Sequence, residues 1–345
     1  MKSKKTKTKK SSSKLVLFLK IFAILATSAL ICVTTYFVYL SKQAEQAANN
    51  SYEELQRDTP KREEVVDTAK DNVSVLFIGI DDSEKRNQGA DNSLSDALIL
   101  ATLNNKEKSI KLLSIPRDSY VYIPHVGYKD KITHAHSFGG TYASIETIEE
   151  MLDVPIDYYV RLNFNAFIDV VDALGGVEVD VPYNILEKDE NDQRTVQLTE
   201  GIQTLNGREA LAFARTRKAD SDLERGKRQQ EVLKAIISQA ASASAITKYD
   251  DVIEAVGDNM RTNMMFSEMK SFVAYLSSGM PTIETLNLEG TDSWEGGYYF
   301  ILNEQSVEDA SNALKMHLDL IPSNYTLESD ESSQAEPSVE AGSSY

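Results

Sequence analysis

Five arginines and two lysines fall within residues 206–230 (NGREALAFARTRKADSDLERGKRQQ), in a 345-residue chain whose formal net charge is -17. So dense a cationic segment in an acidic chain points to a held anion. Helical spacing is predicted over 222–243, where Arg225, Arg228 and Gln229, at i, i+3 and i+4, share one face near the N-terminus. Free N–H groups, the helix dipole and guanidinium forks together suit a phosphate, and Asp222 occupies the position of an N-cap. The competing reading is a solvated face paired with Glu224 and Glu231. Arg215 and Arg217 in FARTR favour the anion, because an extended segment would put both on one side. Arg117 follows a predicted strand through Pro116 in IPRDSYVYIP, on a loop that suits a functional side chain; a surface Arg117–Asp118 pair is the alternative. Asp81 ends FIGIDD and Asp96 opens SDALIL, so adjacent strands could bring both carboxylates to one sheet edge. Mg²⁺ takes one or two carboxylates plus phosphate oxygens and water, although aspartate at a strand end also serves turns.

Other chemistries lack their signatures. His125, His134, His136 and His317 show no HExxH spacing, and KITHAH reads as lying near the site without binding zinc. There is no GxSxG elbow, P-loop or dinucleotide fingerprint. Gly139-Gly140 and Gly175-Gly176 read as turns or caps. The one cysteine, Cys32, lies in an apolar run, which leaves the rest without a disulfide framework or thiolate.

That run, 21–40, has no charge and is long enough to cross a bilayer as a helix. The basic head, 1–20, holds eight lysines and no acid, which predicts a cytoplasmic N-terminus and an outer remainder. Lysines beside a span read as topology signals, so no nucleic-acid partner is expected. Residues 41–71 read as a stalk lifting the domain off the membrane, 72–322 as the folded domain and 323–345 as an acidic disordered tail. Strands are predicted at 73–80, 97–103, 109–115, 157–161, 177–181, 283–288 and 298–302. Helices are predicted at 142–152, after Asn163, and at 207–214, 266–276 and 307–318. The interleaving argues for a layered α/β domain. Phe164, Phe167 and Ile168 read as core on an amphipathic helix, with a lipid groove as the alternative.

FIGIDD, SDALILATL, SIPRD, KITHA, NFNAFIDVVDALGGVEVDVP, LNGREALAFARTR, DLERGKRQQ and GGYYF follow in that order behind a basic head and one span, and the chain resembles the LytR-CpsA-Psr family. The resemblance implies a three-layer α/β/α sandwich with a central mixed β-sheet, preceded by one transmembrane helix. It implies transfer of a glycan phosphate from a polyprenyl-pyrophosphate-linked wall polymer, teichoic acid or capsule type, to a muramic acid hydroxyl of peptidoglycan at a Gram-positive surface. Asp81 and Asp96 would hold Mg²⁺, and Arg117, Lys131, Arg215, Arg217, Arg225 and Gln229 the pyrophosphate. Asp222 would orient arginines or assist proton transfer, which makes Asp96, Arg117 and Asp222 the catalytic set. The family usually has an arginine two positions before the second aspartate, where this chain has Leu94; Lys85 or Arg86 could substitute. That departure keeps open a non-catalytic, membrane-anchored binder of polyanions, and an open site would allow pyrophosphatase side activity.

Overall fold

A computed structural model describes residues 12–55, 57, 61–62, 66–81, 93–189, 193–216, 222–242, 252 and 259–322. The basic head, Lys85, Arg86, Arg217 and the acidic tail lie outside the described residues, as does the side chain of Asp222.

β1 (Val73–Ile80), β2 (Ser95–Asn104) and β3 (Ser109–Ser114) are joined antiparallel. β6 (Tyr158–Leu162) lies parallel to β1, and β12 (Thr282–Asn287) parallel to β3. β11 (Met260–Thr262) closes the far edge, giving a mixed sheet of order β11-β6-β1-β2-β3-β12. Alternation along β1 and β2 divides the apolar residues between two faces. Leu76, Ile78, Leu98 and Leu100 join one core with Ile145 and Ile148 of α2 (Ile132–Leu152) and Leu314 of α7 (Glu304–His317). Ile99, Ala101, Ile110 and Leu112 face the other way, toward α5 (Asp222–Ala240) and α6 (Phe266–Ser277). Helices therefore cover both faces, and the three-layer α/β/α arrangement follows from two apolar faces that each need a partner.

A satellite core sits beside α3 (Phe164–Leu174) and α4 (Gly207–Arg215), built from β7 (Val177–Val181), β8 (Ile185–Glu187), β9 (Val196–Leu198) and β10 (Gly201–Leu205). Asn163 caps α3 by accepting from Ala166 N, and Gly175 ends it at φ 86, as its doublet predicts. The doublet Gly139-Gly140 works otherwise. The helix expected from 142 begins at Ile132 and kinks at this doublet, with Gly140 at φ 63, so KITHAH is helical from Ile132 onward.

The stalk expected over 41–71 is not a free spacer. α1 (Ser12–Ser51) runs unbroken from the apolar run into the domain, where Ala44, Ala48 and Ser51 are buried. Within it, Leu25–Ser51 is long and apolar enough to cross a membrane, and residues 44–51 pack on the domain. Tyr52 then bridges Thr262 of β11, and Glu53 N donates to the Thr262 carbonyl at 2.8 Å. Arg57 pairs with Glu149 at 3.1 Å and Arg62 with Asp157 at 3.4 Å, all four largely buried.

Candidate active site

Asp81 directly follows β1 and is buried. Opposite it, Gly79 pairs with Ala97 and Ile80 with Ser95, so Asp96 is the extra residue of a β-bulge. A bulge re-aims its side chain out of the ladder and recurs beside active sites. The two carboxylates thus come from adjoining strand ends, as their spacing predicts.

Arg117 is aimed by a tight loop after β3. Ser119 N donates to the Pro116 carbonyl at 3.0 Å, Thr133 N to the Arg117 carbonyl at 3.1 Å, and Phe300 N to the Asp118 carbonyl at 2.9 Å. The Arg117 guanidinium ion-pairs with Asp96, and its Nε lies 3.5 Å from Asp118. Asp118 also takes Lys131 Nζ at 2.8 Å. It is buried, so the surface-pair alternative for Arg117–Asp118 does not hold. Asp118 instead joins the two cations, and only its place in the IPRD turn could have signalled that. Thr133 Oγ1 donates to Ser95 O at 2.8 Å, which ties the start of α2 to the bulged strand.

Arg215 is the last residue of α4, and Thr216 leaves the helix at φ -59, ψ 140. The extended-strand alternation proposed for FARTR therefore fails at Arg215, because the apolar face of α4 carries the helix that far. Its guanidinium lies 4.3 Å from the Phe164 ring centroid and donates to Asp189 O at 3.4 Å. On α5, Arg225 and Arg228 are buried. Arg228 donates to Thr216 O at 2.7 Å, which ties α5 to the end of α4. Arg228 is thus a scaffold residue as well as a cation. Gln230, unflagged by the sequence, donates to Leu112 O and Leu286 O and fixes α5 across β3 and β12. His136 Nδ1 meets Ser93 O at 2.8 Å and His134 Nδ1 meets Asp130 at 2.8 Å, so KITHAH borders the site without forming a metal cluster.

Between the second face of the sheet and α3, α5 and α6 lies a cavity of about 430 Å³. Phe77, Ile99, Phe164, Phe167, Leu233 and Phe272 are among its walls, and its polar lining includes Asp96, Arg215 and Gln229. Phe164 and Phe167 thus line a void, whereas Ile168 packs its backbone on Gly207, where a Cβ would come within 2.3 Å of Ile168 O. Phe167 also packs against the satellite core, so the core expectation holds for it in part, while Phe164 lines the cavity beside Arg215.

The class this defines is an α/β/α domain on a long N-terminal helix, with an apolar cavity that ends on carboxylates and guanidinium groups. The chain belongs to the LytR_cpsA_psr family, whose profile matches residues 37–316. It is 41% identical over 319 residues to the polyisoprenyl-teichoic acid–peptidoglycan teichoic acid transferase TagT of Bacillus subtilis, covering 91% of this chain and 98% of that one. To TagV of the same organism, a transferase of the same description, it is 38% identical over 320 residues, covering 89% and 81%. Among solved structures, TagT bound to LIIa-WTA aligns with a TM-score of 0.67 at 41% identity, covering 77% of this chain and 99% of that one. TagT with bound octaprenyl pyrophosphate lipid aligns at 0.61 and 38%, covering 75% and 95%.

Proposed function

We propose that this protein is a membrane-anchored phosphotransferase that moves a glycan phosphate from a polyprenyl-pyrophosphate-linked wall polymer to a muramic acid hydroxyl of peptidoglycan. The observation that carries this is an apolar cavity with Asp96, Arg215 and Gln229 in its wall, next to the Arg117–Asp118–Lys131 cluster. An isoprenoid chain needs such walls and a pyrophosphate needs such a mouth. The similarity to TagT supports a teichoic acid as the polymer; capsule-type polymers share the linkage chemistry.

Arg117, Lys131, Arg215, Arg217, Arg225 and Gln229 bind and orient the pyrophosphate. The acceptor hydroxyl oxygen forms a bond to the phosphorus that carries the glycan, the bond from that phosphorus to the bridging oxygen breaks, and prenyl monophosphate leaves. Asp222 is assigned the remaining part, orienting arginines or taking up the hydroxyl proton. Positioning and charge neutralisation supply most of the acceleration in such a transfer. Asp81 and Asp96 are hard oxygen donors on adjoining strand ends. Two carboxylates are a donor set that suits a metal completing its shell with phosphate and water. A bound Mg²⁺ would neutralise developing charge on the phosphoryl oxygens. Water reaching the phosphorus would give a pyrophosphatase side reaction. The lysine-rich head supports a cytoplasmic N-terminus and an outer active domain on a Gram-positive surface.

The test is the full chain in detergent with a polyprenyl-pyrophosphate disaccharide and short peptidoglycan oligomers, with Mg²⁺ or EDTA, read by mass spectrometry. A glycan-phosphate adduct is expected, requiring metal and falling at least about 100-fold in Asp96→Ala and Arg117→Ala. Tight lipid binding without adduct would make the protein a binder of lipid-linked polyanions.

A further inference from the structure

Two hairpins beside the charged cluster carry aromatic side chains that the transfer chemistry does not use. β4 (Tyr120–Ile123) pairs with β5 (Tyr128–Lys131), and β13 (Gly290–Ser293) with β14 (Tyr299–Leu302). They are joined where Ser119 bridges Phe300. Tyr120 and Tyr122 both point to solvent from one face of β4. Tyr120 meets Tyr299 edge-on at 4.8 Å, and Trp294, 75% exposed in the β13–β14 turn, lies 5.0 Å from Tyr298. Tyr298 donates to Asp292 at 3.0 Å. Lys131 Nζ, held by Asp118, sits 5.5 Å from the Tyr298 centroid and 5.6 Å from that of Tyr299. A contact path thus runs from Asp96 through Arg117, Asp118 and Lys131 to Trp294.

We propose that Trp294, Tyr298, Tyr299, Tyr120 and Tyr122 form a sugar-stacking platform that holds the glycan backbone of the acceptor peptidoglycan strand. Exposed aromatic side chains grouped beside a charged site suit a binding surface. Its amphipathic rings and interspersed carboxylates suit a pyranose, which offers a face of C–H groups to a ring and equatorial hydroxyls to Asp292. Successive outward side chains on a strand stand about 6.8 Å apart, so the row extends over more than one sugar, as a polymer requires. In-line displacement places the incoming hydroxyl opposite the leaving group. The prenyl phosphate departs toward the apolar cavity, and none of these aromatic residues lines that cavity. The acceptor therefore belongs on the platform side of the charged cluster. Asp292 and Glu295, with no lysine or arginine between residues 289 and 303, argue against an anionic lipid surface as the occupant of the platform.

The inference rests on the transfer reading for the identity of the strand, but binding tests it without turnover. Trp294 is the only tryptophan in the chain, so it reports on its own site. Full-length protein in nanodiscs, titrated with soluble uncross-linked peptidoglycan strands, is expected to show a saturable blue shift of Trp294 emission and protection from acrylamide quenching. Free stem peptide and lipid vesicles are expected to leave it unchanged. Tyr298→Ala, which keeps the reporter, is expected to weaken strand binding about tenfold. In the transfer assay, Trp294→Ala is expected to raise the acceptor KM about tenfold while leaving kcat and the donor KM within about twofold. Loss of donor binding in Arg117→Ala with strand binding intact would separate a failure of the catalytic reading from a failure of this one. Four results would overturn the platform: no spectral response to strands, a Trp294 already shielded by the nanodisc, a response to vesicles alone, or a donor KM that rises in place of the acceptor KM.

Discussion

Arg117 shows how one guanidinium can be committed to a protein carboxylate and still serve a substrate. It pairs with Asp96 and borders Asp118, and a pyrophosphate arriving at the cavity wall would compete for the same donors. A planar fork can meet one partner bidentately and still offer donors to the other, a geometry that an ammonium does not reproduce. Arg117→Lys is therefore expected to keep the fold but lose at least about tenfold in transfer, checked by the adduct assay beside a thermal melt. His317 is the contrasting residue, buried and away from the chemistry. Its Nδ1 meets Thr102 Oγ1 at 2.7 Å and its Nε2 meets Ser109 Oγ at 2.8 Å, an arrangement that two hydroxyls satisfy for a neutral ring. Burial, with Lys111 adding repulsion, lowers its pKa from 6.5 to about 4. The unfolded chain consequently binds this proton more readily, so the contribution is complete above pH 6.5 and is lost as pH falls from there toward about 4. Melts across that window are expected to show a stability decline, on the order of 2 to 3 kcal/mol, that His317→Gln flattens. An unchanged slope in the variant would assign the decline to other groups.

At the scale of elements, α5 carries Arg225 and Gln229 and sits close against β3. A Cβ on Gly226 would lie 2.8 Å from Ser114 Oγ, so the missing side chain lets α5 approach β3 between Arg225 and Gln229. Gly226→Val is expected to cost about 1 to 3 kcal/mol by overpacking and to reduce transfer more than Gly226→Ala, whose clash a serine rotamer can relieve. Equal activity in the two variants would show that the approach is not tight. The strands of the sheet that receives α5 were legible: the apolar runs at 73–80, 97–103 and 109–115 mark β1, β2 and β3, and the turn after Asn104 marks the β2–β3 hairpin. The first half of α2 was not, because ITHAHSF lacks apolar periodicity and its Gly139-Gly140 kink imitates a turn. The carboxylates and Arg117 could be read from strand ends, but the bulge that turns Asp96 outward depends on pairing between strands and leaves no local mark. The cavity was equally hidden, since Phe164 and Phe167 follow the same amphipathic spacing whether they fill a core or line a void.

For the whole molecule, the segment between anchor and domain decides whether the active site is tethered loosely or held. Its docking was illegible because Ala44, Ala48 and Ser51 are small and much of the rest is a backbone bridge at Tyr52–Glu53 and two ion pairs, so no apolar stripe records it. Yet these contacts compensate buried charge. Burial raises the pKa of Glu149 and of Asp157, and Arg57 and Arg62 are the respective cations that oppose this. A fragment of residues 72–322 lacks both arginines and would leave Glu149 and Asp157 with their hydrogen bonds from Ile156 and Ser74 but without a cation, a loss of roughly 3 to 5 kcal/mol when such a pair is broken. A fragment of residues 41–322 keeps them. The shorter fragment is expected to melt roughly 6 to 20 °C lower at neutral pH, and the gap is expected to narrow as pH falls and the stranded carboxylates take up protons. Glu149→Gln with Asp157→Asn in the shorter fragment removes the buried charges and is expected to recover part of the difference. If the two fragments melt together, residues 41–71 are a dispensable stalk and the domain is free to swing above the membrane. If they separate as expected, the continuous helix α1 sets the orientation of the cavity relative to the bilayer, and lipid-linked donor meets a site held at fixed height.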